Sequence, residues 1–213
     1  MFEAYIILLS VCFASFLINR KKILYYISPL GWLVGYALIS ELAGHYLDDQ
    51  QLFDNPRQHL YQLVELWLLC LTYYWYYQSE KADRLRRMVP VLLAVFTLLY
   101  VFISFYVEGI YNDCIINFLI TSVLMITLST KFFYTLYIES TEINVLSFGF
   151  FWINAGNLLY ASGTFFQMGL YTYVKSFNPV LAEDFMIINH VLNYFLYANY
   201  MAAFLCTKKF LYS

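Results

Sequence analysis

The sequence predicts an all-α integral membrane protein: a single bundle of seven transmembrane helices over residues 1-213, N-terminus outside and C-terminus cytoplasmic. Three observations lead to this prediction. Of 213 residues, 62% are hydrophobic and only 12% are charged, whereas a soluble domain carries about 25% charged residues. Apolar runs of about 18 or more residues, the length that crosses a bilayer, follow one another along the whole chain. Finally, lysine and arginine collect in alternate connections between these runs.

The seven predicted spans are joined by short connections. In chain order they are Phe2–Asn19, Ile23–Leu47, Gln58–Gln78, Met88–Val107, Asp113–Tyr137, Ile143–Tyr171 and Asp184–Thr207. Basic residues follow the first run instead of preceding it, so we expect a retained span and not a cleaved signal peptide. Pro29 and Pro90 stand near the starts of spans two and four, where a helix tolerates proline.

Aromatic clusters and regularly spaced glycines are two further features of the predicted spans. The run Tyr73 to Tyr77, with similar clusters at 25–26 and 132–134, predicts an aromatic belt at the inner headgroup layer. Span six carries glycine at every seventh position, at residues 149, 156 and 163. This seam would let another helix, of the same chain or of a second chain, approach closely.

The positive residues predict the orientation. With the N-terminus outside, ten of the twelve Lys and Arg residues fall on the inner side: Arg20, Lys21, Lys22, Lys81, Arg84, Arg86, Arg87, Lys131, Lys208 and Lys209. Arg57 and Lys175 fall outside. Because inner connections carry the excess of positive charge, the N-terminus is expected outside, and the expected location is a bacterial inner membrane.

Polar residues of several spans fall at one depth in the outer half of the predicted membrane region. At 1.5 Å per residue, Glu41 lies about 9 Å from the outer end of span two, and Glu65 about 10 Å from the start of span three. His190 lies about 9 Å into span seven, and Asn117 about 6 Å into span five. Ionisable groups inside a span are costly and normally face the bundle interior. A polar pocket in the outer half of the bundle is therefore expected.

Helical spacing selects the residues expected to bind a ligand there. Glu41 and His45 are four residues apart and share a helix face. His59, Gln62 and Glu65 step by threes, and His190 and Asn193 are three apart. The full predicted set is Glu41, His45, His59, Gln62, Glu65, Asn117, Asn157, His190 and Asn193.

The main functional expectation is a ligand-binding or partner-binding signalling module without its own output domain. Besides the lipid bilayer, it would need a membrane or cytoplasmic partner protein, docking on Lys81 to Arg87 or on Lys208 and Lys209. No nucleic acid is expected, since no basic stretch is long enough to follow a phosphate backbone. The four cysteines form no CxxC pair, which argues against a redox or zinc-knuckle motif.

Two alternatives remain open, one an enzyme and the other a transporter. His45, His59 and His190 are candidate zinc ligands, with Glu41 or Glu65 activating a water for lipid hydrolysis. In its seven predicted helices and its histidines near helix ends, the chain resembles the superfamily of alkaline ceramidases and adiponectin-receptor-like proteins. That superfamily has two histidines four residues apart on its last helix, whereas here His190 is followed by Tyr194. A proton-coupled transporter of small solutes would use the two glutamates as proton acceptors, although no internal repeat is visible.

Overall fold

Seven α-helices account for almost all of the structure. A computed structural model describes residues 2–47, 54–80, 82–139 and 145–206. Its helices are α1 Phe2–Asn19, α2 Ser28–Leu47, α3 Asp54–Ser79, α4 Asp83–Phe102, α5 Ile115–Glu139, α6 Gly149–Phe177 and α7 Pro179–Leu205. Short 3₁₀ turns precede α2 and α6, and a π-helical turn, Ile103–Val107, continues α4. The predicted all-α architecture is confirmed.

Three stretches of the described chain are long and apolar enough to cross a membrane: Tyr25–His45, Arg84–Val107 and Ile115–Ile138. A shorter apolar stretch, Glu3–Asn19, lies in α1. The chain is therefore a membrane protein by the length and composition of these helices.

Two predicted helix boundaries are wrong. The connection expected between spans six and seven is nearly absent, because α6 continues to Phe177 and α7 begins at Pro179. Proline suits this first helical position because its fixed φ matches the helix and no N–H is needed there. Asn178 caps the new helix, with its Oδ1 accepting the Leu181 N–H at 3.3 Å. Pro90 lies inside α4 and not at its start, so α4 lacks one internal hydrogen bond.

Consecutive helices run antiparallel, so α1, α3, α5 and α7 all begin at one end of the bundle. The Tyr100 hydroxyl near the end of α4 donates to the His59 carbonyl near the start of α3, at 2.6 Å. Likewise Lys175 near the end of α6 contacts Asp113 just before α5, at 3.3 Å. We name this end the N-terminal end. The opposite, basic end carries Arg20, Lys21, Lys22, Arg84, Arg86, Arg87 and Lys131; Lys81, Lys208 and Lys209 lie outside the described residues.

The predicted aromatic belt is partly wrong, because much of it is core. Tyr26, Tyr73 and Tyr76 are buried, and the Tyr76 ring stacks on Phe150 with centroids 4.0 Å apart. Tyr25 and Tyr134 do remain exposed at the surface. Rings at the basic end therefore act mainly as packing between helices, where aromatic pairs add attraction beyond the buried area.

The glycine seam of span six packs within the chain, against α7. A Cβ added at Gly149 would lie 2.9 Å from the Ala203 carbonyl oxygen, and one at Gly156 would lie 2.8 Å from the Asn199 Cβ. Small residues at such positions let two backbones approach closely, which strengthens their van der Waals contact. The seam thus fixes the distance between α6 and α7.

Replacing Gly156 with alanine is expected to lower the free energy of unfolding by about 1 kcal/mol, the low end of the range for overpacking. Gly169 of the same helix is the matched control, because a Cβ there meets nothing closer than Leu119 Cδ2 at 4.0 Å. Gly169→Ala should leave stability unchanged or raise it, since alanine favours helix. Thermal unfolding in detergent measures the stability of both variants. Equal unfolding midpoints would show that close packing at Gly156 does not limit stability.

Candidate functional site

A cavity of about 440 Å³ opens at the N-terminal end of the bundle. Among the described residues, it is lined from every helix except α4, by Tyr5, Glu41, Arg57, Gln58, Tyr61, Phe118, Tyr160, Met168, Asn189, His190 and Asn193. These residues come from the first turns of α1, α3 and α5, from the later part of α2, and from the middle turns of α6 and α7. The antiparallel packing of the helices brings these positions, far apart in sequence, to one cavity.

Charge of both signs lines this cavity. Glu41 comes from α2, and Arg57 comes from the first turn of α3. The Arg57 guanidinium donates from Nη1 to the Ser40 carbonyl at 2.9 Å and to the Ser40 Oγ at 3.0 Å. It lies across α2 at Gly44, where an added Cβ would be 2.8 Å from its Cζ. Arg57 therefore joins α2 to α3 and places a positive charge in the same cavity as Glu41.

The α7 wall supplies amides and an imidazole. Asn189, His190 and Asn193 all line the cavity, and the His190 ring meets the Tyr5 ring edge-on, with centroids 6.5 Å apart. Asn189 Oδ1 is buried and has no hydrogen-bond partner among the described residues. A buried acceptor without a partner costs free energy, so a ligand that donates to it would be stabilised.

Tyrosines form the inner wall and floor. The Tyr61 hydroxyl contacts the Tyr197 hydroxyl at 3.3 Å, and the Tyr61 ring stacks on Tyr36 with centroids 5.9 Å apart. Glu65, one turn deeper on α3, is 4% exposed. Glu65 thus lies beneath the floor and does not line the cavity.

Of the predicted binding residues, the cavity brings together Glu41, His190 and Asn193. Gln62 is buried, and neither its Oε1 nor its Nε2 has a hydrogen-bond partner among the described residues. Asn157 lies deep on α6, where its Oδ1 accepts the Tyr200 hydroxyl at 2.7 Å. Like Glu65, these two amides belong to the polar interior and not to the cavity wall.

His59 and Asn117 belong to a separate polar cluster between α3 and α5. His59 Nδ1 lies 3.1 Å from the Ser104 Oγ, and Asn117 Nδ2 donates to that same oxygen at 2.9 Å. Asn117 Nδ2 also donates to Glu108 Oε2 at 3.1 Å, and His59 Nε2 lies 3.3 Å from the Asn112 carbonyl. The π-helical turn after α4 carries Ser104 into this cluster.

The Glu108 carboxyl is part of this cluster and lies in the turn after the π-helical segment. Burial raises the pKa of Glu108, and hydrogen bonds from the backbone N–H groups of Ile116 and Asn117 partly offset that rise. His59, Ser104, Glu108 and the Asn117 Nδ2 each contact a neighbouring polar group, whereas the buried Asn117 Oδ1 has no hydrogen-bond partner among the described residues. The cluster therefore ties α3, α5 and the turn after α4 together.

The three histidines do not form the predicted zinc site. Among the described residues, no three His, Cys, Asp or Glu side chains lie close enough together to hold a metal ion. His59 is buried in the Ser104 cluster, His190 lines the cavity, and His45 is exposed near the end of α2. The three histidines therefore lie in three different surroundings and do not converge on one point.

The chain matches no family model, no curated protein and no solved structure. The geometry of the cavity is therefore the basis for assigning a function.

Sequence reasoning missed several cavity residues, above all Arg57. It placed Arg57 in an outer connection, whereas α3 begins three residues earlier, at Asp54. A signal was present in the sequence: Pro56 suits the first turn of a helix, which puts the next residue inside α3. Tyr5, Tyr61 and Tyr160 were missed because a tyrosine within an apolar run gives no sign of facing a cavity.

Proposed function

We propose that this chain is a seven-helix protein of a bacterial inner membrane that binds a small polar molecule in the cavity at its N-terminal end. Binding would act on a membrane or cytoplasmic partner at the basic end. In this proposal all seven helices cross the bilayer, with the N-terminal end outside and the basic end inside. One observation carries the binding proposal: a single cavity combines Glu41, Arg57 and His190 with the unpartnered Asn189 oxygen.

The distribution of polar residues supports seven crossings. Polar side chains of α3 and α6, such as Gln62 and Asn157, are buried inside the bundle. Large apolar side chains on the same helices and on α1 and α7 point outward: Ile7, Ile18, Leu60, Trp67, Leu159, Phe166, Leu170, Ile188, Val191 and Phe195. Such an outside suits lipid and not water. Helices α3, α6 and α7 have 26, 29 and 27 residues, and all three exceed the length needed to span.

The walls indicate the class of ligand. Arg57 offers donors to an anionic or carbonyl oxygen, Glu41 accepts from a cationic or neutral donor, and Asn189 adds a further acceptor. Tyr5, Phe118, Tyr160 and Met168 provide apolar surface beside them. A small molecule with charged or hydrogen-bonding groups and an apolar portion, such as a free amino acid, fits these walls.

Labelling of an introduced cysteine tests whether the cavity is open to solvent and which side of the membrane it faces. In a background with the four native cysteines replaced, Asn193→Cys should react with a membrane-impermeant thiol reagent added outside intact cells or spheroplasts. Asn157→Cys is the matched control and should stay unreactive, because that side chain is fully buried away from the cavity. A folded Asn193→Cys protein that reacts only from the cytoplasmic side would overturn the proposal.

Ligand class is tested with the purified wild-type protein in detergent. A panel of amino acids, dicarboxylates, polyamines and sugars is added, and the unfolding midpoint is measured. We expect at least one charged or zwitterionic compound to raise the midpoint in wild type but not in Glu41→Gln. If every stabilising compound acts equally on both proteins, binding does not occur in this cavity.

A further inference from the structure

A groove between α3 and α4 differs in character from the cavity. It holds about 300 Å³ and is lined almost wholly by apolar groups, from Trp67, Leu68, Cys70, Leu71, Tyr74, Val89, Pro90 and Leu93. Helix α4 packs mainly on α3, so this groove lies at the edge of the bundle and faces outward. The lining of α3 spans about 10 Å along the helix.

At the basic end the groove runs into a positively charged mouth. Tyr74 and Pro90 line both the groove and the adjoining depression, whose other lining residues are Arg86 and Arg87. The Arg86 guanidinium lies over the Tyr74 ring, 5.3 Å from its centroid. It also donates to the Tyr74 hydroxyl from Nε at 3.3 Å and from Nη2 at 3.2 Å. Tyr74 therefore holds one positive charge at the point where the apolar groove ends.

We propose that this groove and its mouth bind one anionic phospholipid of the inner leaflet. An acyl chain lies along the apolar groove between α3 and α4, and the phosphate lies against Arg86 and Arg87. The charge complements a phosphate, and basic pockets between membrane helices on the cytoplasmic side suit anionic lipid headgroups. Guanidinium groups bind phosphate oxygens with paired N–H donors. The inference rests on the proposed membrane arrangement and does not depend on a ligand in the cavity.

Two features of the sequence fit the groove to this role. Pro90 leaves one backbone carbonyl of α4 without its usual helical donor, and its ring lines both groove and mouth. Trp67 is half-exposed at the far end of the groove, with its Nε1 donating to the Thr97 Oγ1 at 3.1 Å. That bond holds the indole as a fixed wall toward the bilayer centre.

The test uses the full chain purified in a neutral detergent. Phosphatidylglycerol, phosphatidylcholine or glycerol phosphate is added, and bound lipid and the unfolding midpoint are measured by native mass spectrometry and thermal unfolding. We expect phosphatidylglycerol to bind and stabilise more than phosphatidylcholine, and glycerol phosphate alone to have no effect. Equal effects of the two lipids, or stabilisation by glycerol phosphate alone, would overturn the proposal.

Variants locate the lipid. Arg86→Gln with Arg87→Gln should weaken phosphatidylglycerol binding by about fivefold for each arginine. Lys21→Gln with Lys22→Gln removes the same charge from an exposed turn at the same end and should have little effect. Leu71→Trp fills the groove and leaves the arginines in place, so it should reduce binding of the lipid. If the lysine pair loses as much as the arginine pair, binding is general surface attraction and the assigned site is wrong. Failure of this test leaves the cavity experiments unaffected.

Discussion

Replacing Arg57 with methionine is expected to produce the largest combined loss of any single change at the cavity. The variant removes two hydrogen bonds to Ser40 and the positive charge that shares the cavity with Glu41. Hydrogen bonds to charged groups contribute about 1.5–3 kcal/mol, so the free energy of unfolding should fall by about 2 kcal/mol. The compound that most stabilises the wild-type protein in the small-molecule panel should bind at least tenfold more weakly. Thermal unfolding with and without that compound measures both effects.

A second variant separates the loss of charge from the loss of stability. Gly44→Ala keeps Arg57 but places a Cβ 2.8 Å from its Cζ, so the flexible guanidinium must move. Alanine is favoured over glycine in a helix by about 1 kcal/mol, which offsets part of the weakened Ser40 bonds, so stability should fall by less than in Arg57→Met while binding of the compound weakens. Arg84→Met makes the same substitution at an exposed arginine of the basic end and should change neither quantity. The assigned role of Arg57 is wrong if its methionine variant keeps wild-type binding.

The depth of the polar residues could be predicted because helical rise is constant. Counting residues from the span ends placed Glu41 and His190 at one level, and both line the cavity. Rotation about the helix axis could not be predicted in the same way. Glu65 and Gln62 share that region of α3 yet lie beneath the cavity floor, because packing against neighbouring tyrosines sets which way their face turns.

Local departures from regular helix explain the remaining misses at the site. The π-helical turn Ile103–Val107 carries Ser104 toward His59 and Asn117, which draws both into a cluster apart from the cavity. Periodicity in a sequence assumes 3.6 residues per turn, so a π turn is invisible to it. Hydropathy also cannot predict that one residue, Asn178, separates α6 from α7. A polar single-residue break and a longer connection lower the average over a window in the same way.

Span prediction by hydropathy also has a physical limit in this chain. Averages over a window count Asn154, Asn157 and Gln62 against a membrane location, although all three side chains are buried within the bundle. Lipid contacts only the outer face of each helix, so the outer face decides whether a helix can cross. This explains why α3, α6 and α7 can be proposed to cross, although within the described part of the chain three other stretches are the ones that qualify by composition.

Replacing Asn154 with leucine is expected to be the most destabilising single change in the core outside the cavity. The Tyr73 hydroxyl donates to Asn154 Oδ1 at 2.5 Å, and Asn154 Nδ2 donates to the Phe150 carbonyl at 2.7 Å. Both side chains are fully buried. A buried polar group left without its partner costs about 1–3 kcal/mol, so the free energy of unfolding should fall by about 1–3 kcal/mol.

A double-mutant cycle in detergent measures how strongly Tyr73 and Asn154 interact. Tyr73→Phe removes the hydroxyl that has lost its Asn154 partner, so combining it with Asn154→Leu should cost less than the sum of the two single changes. The expected coupling is about 1 kcal/mol, near the upper part of the range for hydrogen bonds between membrane helices. Ser129 stays as a second partner of Tyr73, at 3.2 Å, which limits the loss in the Asn154→Leu protein. If the interaction is real, Tyr73→Phe should cost less in the Asn154→Leu protein than in the wild type. Strictly additive losses would show that the hydrogen bond between α3 and α6 contributes nothing beyond packing.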